Sequence, residues 1–180
     1  MALTTVRSTG ISSLPAISGA NLTALNASNI ASGTLAAARF SGGKVLQVLN
    51  SVSSTEIVHT NNSWTTAGIS LSITPSATTS KILIICCMTG VGKASNNTYA
   101  QLRLLRDSTT IVANFEERGG ATGGTDANKI GGVSTTFLDT PSSTSALNYN
   151  VQVASGGNSS YAQVGNSNSK STITLMEIGA

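Results

Sequence analysis

Ile82-Leu-Ile-Ile-Cys-Cys-Met88 is the most apolar stretch of the chain, bounded by Lys81 and by Thr89-Gly90. The run is too short to cross a bilayer and rich in β-branched residues, so it reads as a strand buried inside a β protein. Its neighbours Cys86 and Cys87 would point one to each face. Adjacent cysteines seldom bridge, because the small ring is strained. They read as two small apolar residues, and no disulfide framework is expected.

On both sides of this strand the sequence continues in short runs of Val, Ile, Leu and Thr separated by Ser, Asn and Gly. Before it we read strands over 45–49, 56–60, 63–66 and 69–74, followed by the turn Pro75-Ser-Ala-Thr-Thr-Ser80. After it come 98–106 and 109–116, joined by a tight turn at Asp107-Ser108, then 133–139, 146–154, 161–164 and 171–178. With no amphipathic helix between them, these elements predict an all-β fold, an antiparallel jelly-roll-like β-sandwich. Three Gly-rich polar loops are expected at 90–97, 119–132 and 155–160. The closing run Ser171-Thr-Ile-Thr-Leu-Met-Glu-Ile178 alternates, so it belongs to the fold.

The first forty residues behave differently. Leu25, Ile30, Leu35 and Phe40 fall five positions apart, a spacing that neither the helical period of about 3.6 nor the strand period of about 2 produces. Such an extended chain leaves an apolar strip that parallel copies of itself can cover. We therefore divide the chain into a docking arm over 1–19, a trimerising shaft over 20–43 and a β-sandwich head over 44–180. The arm would anchor through Leu3, Val6, Ile11, Leu14 and Ile17. The shaft would close through Leu22, Leu25, Ile30, Leu35 and Phe40.

Composition narrows the function. The 180 residues leave roughly one ordinary domain after the arm and shaft. Charged residues are 9% and aromatics 4%, an unusual balance for a free enzyme but suited to a particle component solvated by hydroxyls and amides. The net charge of +3 comes from basic residues scattered singly, so the footprint of nucleic-acid binding is missing. No basic segment followed by a long apolar one opens the chain, which predicts synthesis in a cytoplasm without membrane insertion.

Catalytic constellations are not assembled in the sequence. His59, the single histidine, sits in the alternating Glu56-Ile-Val-His-Thr60 without a nucleophile elbow. With Cys86 and Cys87 it supplies too few ligands for a metal site. A glycosidase would need two carboxylates about 5 to 10 Å apart, but Asp107 and Asp139 stand at strand ends, where Asp typically caps turns. Gly119-Gly-Ala-Thr-Gly-Gly124 lacks the Gly-Lys-Ser/Thr ending of a phosphate loop. Trp64 reads as a core residue, with a sugar platform as the alternative. We expect no catalytic residue, no cofactor and no metal.

Ile73-Thr-Pro-Ser-Ala-Thr-Thr-Ser-Lys-Ile-Leu-Ile84, Leu102-Arg-Leu-Leu-Arg-Asp-Ser-Thr-Thr110, Phe137-Leu-Asp-Thr-Pro-Ser-Ser-Thr-Ser145 and the closing run resemble the heads of tail-fibre-like virion proteins of bacteriophages, cyanophages especially. Leu22-Thr-Ala-Leu-Asn-Ala-Ser-Asn-Ile-Ala-Ser-Gly-Thr-Leu35 resembles their shaft repeats. The resemblance implies a homotrimeric structural or adhesive protein of the virion, a short tail fibre assembled in the host cytoplasm. Its arm would bind other virion proteins of baseplate, tail or capsid. Its head would meet a host surface glycan or protein, with Asn96, Asn97, Asn128 and Asn158 as loop contacts and avidity supplying strength. A trimeric capsid decoration protein is the alternative, and a polysaccharide-degrading tail enzyme the second.

Overall fold

In the computed structural model, residues 43–93, 98–119, 128–157, 162–165 and 167–179 are described. They form ten strands: β1 (Lys44–Ser53), β2 (Ile57–His59), β3 (Thr65–Ile73), β4 (Lys81–Lys93), β5 (Thr98–Arg106), β6 (Thr109–Gly119), β7 (Asn128–Asp139), β8 (Leu147–Gly157), β9 (Ala162–Val164) and β10 (Ser171–Gly179). All pairings are antiparallel. Sheet A runs β1-β10-β4-β7, and sheet B runs β3-β8-β5-β6. Gly92 and Lys93 of β4 pair with β7 and also with β9. β9 therefore lies on the side that β10 occupies further along, and β2 pairs with β9 in the column of β1.

Alternation explains which side chains meet between the sheets. Ile82, Ile84, Cys86 and Met88 of β4 and Ile173 and Leu175 of β10 have no accessible surface. From sheet B, Leu102 and Leu104 of β5 and Tyr149, Val151 and Val153 of β8 face them, equally buried. Each such side chain removed from water stabilises the fold by about 1.5–3 kcal/mol, so this shared layer is what holds the sheets together.

Several boundaries differ from the sequence reading, and glycine is the reason. The separate strands expected at 63–66 and 69–74 are one strand, β3, whose register slips between Thr66 and Ser70. Gly68, at φ +76°, takes the left-handed conformation there, and its N–H reaches Thr66 Oγ1 at 3.2 Å. Likewise β4 continues past Gly90, at φ +63°, as far as Lys93. Strand structure thus enters all three segments expected as Gly-rich loops, with β6 ending at Gly119, β7 starting at Asn128 and β8 ending at Gly157.

Candidate functional site

The sandwich presents two outer faces of opposite character. On sheet A the ladder registers set the outward side chains in rows. Val48, Met176, Leu83 and Leu138 lie side by side across β1, β10, β4 and β7. The next row is Asn50, Thr174, Ile85 and Thr136, and the one after is Val52, Thr172, Cys87 and Ser134. Val48 is 53% exposed, Val52 54% and Leu138 49%. Asn50 Nδ2 donates to Thr174 Oγ1 at 2.8 Å, and Thr136, Thr172 and Ser134 add hydroxyls beside the apolar row.

Sheet B turns a polar relief outward. Asn148 Nδ2 donates to Ser72 Oγ at 3.0 Å, and Asn150 Nδ2 donates to the Asp107 carbonyl at 3.1 Å. Arg103 Nε and Nη2 both donate to Gln152 Oε1, at 2.9 and 2.6 Å. The Arg103 guanidinium lies 4.4 Å from the centroid of the Trp64 ring, a cation–π contact. Trp64 is half-buried just before β3 rather than in the core, with Arg103 over one of its faces. The sugar-platform alternative therefore meets a ring already partly occupied.

The ionisable groups inside the sandwich are tied into structural contacts. Asp139 of β7 accepts from Arg106 Nη1 at 2.6 Å and from the Tyr149 hydroxyl at 2.7 Å, joining sheet A to sheet B. It is therefore a buried strut and not the turn cap expected. Burial and the bond to Asp139 push the Tyr149 hydroxyl well above its ordinary pKa. The turn role falls to Asp107, at φ +53°, whose Oδ1 accepts from the Asn148 N–H at 2.9 Å. His59 Nε2 is 2.6 Å from the Ser63 carbonyl. Cys86 is buried, and burial followed by the neighbouring Cys87 pushes its thiol up to about 12. Among the described residues no group of three or more His, Cys, Asp or Glu is placed to hold a metal.

Glu177, fully covered in β10, accepts from Gln47 Nε2, from the Ser76 N–H and from Ser76 Oγ, each at 2.7 Å. Burial raises its pKa, but the bonds from the Ser76 hydroxyl, the Gln47 amide and the Ser76 N–H, with the Ser80 side chain close by, outweigh this and hold it at about 2. The folded value lies below the unfolded one, so the stabilisation is complete above about pH 4.5 and is lost as pH falls toward 2. Glu177 itself is covered, but its partner Ser76 is exposed, so solvent reaches the edge of the cluster and we expect about 1–2 kcal/mol. Urea titrations at descending pH should show wild type losing that much more stability than Glu177→Gln. Parallel losses would sink the assignment.

The arm residues Leu3, Val6, Ile11, Leu14 and Ile17, the shaft residues Leu22, Leu25, Ile30, Leu35 and Phe40, and Asn96, Asn97 and Asn158 lie outside the described residues. Asn128 opens β7, paired with Lys93, and so belongs to a strand rather than a loop. Sequence reasoning missed both outer faces. A signal for one was present: in β10 the apolar phase switches from Ile173 and Leu175 to Met176 and Ile178 while the pairing with β4 runs on without a bulge. An uninterrupted ladder forces one of the two sets outward.

No protein-family model matches the chain, and no curated protein matches it. Among solved structures, the chain is similar to the VP2 subviral particle protein of infectious bursal disease virus, with 12% identity and a TM-score of 0.41. The match covers 73% of this chain and 38% of that one.

Proposed function

We infer that the protein is a structural component of a virion, a short trimeric tail fibre that docks by its N-terminal arm and presents a jelly-roll head to a host surface. The observation that carries this reading is the polar outer face of sheet B, where Ser70, Ser72, Asn148, Asn150 and Gln152 stand on neighbouring strands. Such a relief suits many shallow contacts to a glycan or protein surface, multiplied by the number of heads. The ionisable groups described above support it too, since Asp139, Arg106 and Glu177 are committed to holding strands together. Resemblance of the strand sequences to phage fibre heads supplies the virion context.

Electron microscopy of virions carrying a label at the C-terminus tests the placement. We expect density at the tip of the tail. Label spread over the head shell would replace the fibre by a capsid decoration protein. Release of reducing ends from host polysaccharide by the purified protein would replace it by an enzyme.

A further inference from the structure

We propose that the outer face of sheet A, formed by β1, β10, β4 and β7, is a subunit interface covered in the assembled protein by further copies of this same chain. The proposal rests on the fibre reading only for the number of copies, three.

A sheet with one face in water normally alternates apolar-in and polar-out. Sheet B obeys this, whereas sheet A breaks it along one whole row and at single positions of the next two. The row Val48, Met176, Leu83 and Leu138 is apolar across four strands, and Ile85 and Val52 continue it in the next two rows. At standard strand spacing the four strands are about 19 Å wide, and the rows with their flanking positions run about 27 Å, a footprint of about 500 Å². That area includes the polar positions of the face, and it is a little over half of the roughly 800 Å² that each partner brings to a stable interface.

Two observations identify the occupant as a copy of the chain. β1 is the marginal strand of this face, and the residues before Gly43 lead straight into it. Any association that gathers those segments from several copies also gathers their β1 strands. In addition, Lys81 at one end is the single charge among the outward side chains of these rows and the adjoining one, Val45, Ile178 and Lys81. A partner recognised by charge would find little to read, whereas copies meeting through Val, Leu and Met bring no like charges together. Among the described residues β1 pairs with β10 alone, so a neighbouring copy would also cover an open strand edge, which proteins otherwise protect.

Two native thiols provide the test, because Cys87 lies on this face and Cys86 lies in the core. The full chain is sedimented and then exposed under native conditions to a soluble maleimide, with labelling located by mass spectrometry. We expect three times 18.2 kDa and protection of both thiols. In the double variant Val48→Glu/Leu83→Glu, at two outward positions, Cys87 should label about tenfold faster or more while Cys86 stays protected. That pattern supports the proposal whether or not the N-terminal segments still hold the copies together, and labelling of Cys86 would expose a merely unfolded variant. To cover that case, the milder Thr136→Lys is read in the same way. Ser70→Glu, on the outer face of sheet B, should change neither mass nor labelling.

A wild-type trimer whose Cys87 reacts as an open thiol would overturn the proposal and leave the fibre reading standing. So would folded variants in which Cys87 remains protected. Sedimentation of the wild type at 18.2 kDa would instead remove the self-assembly on which both rest.

Discussion

Asp139→Ala is expected to destabilise the head by about 3 kcal/mol, from loss of charge-assisted bonds and orphaning of a buried hydroxyl. Asp139 is the last residue of β7 in sheet A, and both of its partners, Arg106 and Tyr149, stand in sheet B. Alanine leaves the Tyr149 hydroxyl in a site with no accessible surface and without its acceptor. Arg106 suffers less, because its side chain is 24% exposed and can turn to water. Asp139→Asn, which keeps one oxygen, should cost about half as much, and Tyr149→Phe about 1 kcal/mol. A double-mutant cycle of Asp139→Ala with Tyr149→Phe should then show strong non-additivity, since the second change removes the group that the first strands. Urea unfolding at one fixed protomer concentration measures all of these, because self-association would otherwise shift apparent stability. A cost for Asp139→Ala below that of Tyr149→Phe would show that the network does not join the sheets.

Much of the sandwich could be read from the sequence wherever alternation was clean. The closing strand, expected over 171–178, is β10 from Ser171 to Gly179, and the strand expected over 98–106 is β5 with those bounds. Glycine defeated the reading at β3 and β4: Gly68 and Gly90 look like loop residues, yet each supplies a left-handed turn of backbone inside a continuing strand. The buried charges were hidden for another reason. Glu177 occupies a position that alternation makes inward, and only the distant Gln47 and Ser76 make an acidic side chain acceptable there. Nothing local announces them. The apolar outer face of sheet A was equally obscure, because Leu83 and Ile85 in an unbroken apolar run look the same whether their second face meets a helix, another sheet or another chain.

Gly165→Ala should cost at least about 3 kcal/mol, combining a left-handed backbone that disfavours a Cβ by about 1–2 kcal/mol with a clash that cannot relax. Gly165 follows β9 at φ +80°, and its N–H donates to the Thr89 carbonyl at 2.7 Å. A Cβ there would lie 2.0 Å from the Thr55 carbonyl oxygen and 2.9 Å from its carbon. These are main-chain atoms of the short link between β1 and β2, and both flanking strands are held in ladders, β1 to β10 and β2 to β9. The link cannot retreat without breaking one of them. Gly131 is the control: its φ is +99°, but a Cβ there would meet nothing within 4 Å. Gly131→Ala should therefore show the backbone cost alone, about 1–2 kcal/mol. Hydrogen exchange should also lose protection at Ile57–His59 and Ala162–Val164 in Gly165→Ala while the amides of β4 and β10 keep theirs, because the weaker of the two ladders yields first. Equal costs for the two substitutions would mean that the link moves freely, and that β2 and β9 are only loosely attached to sheet A.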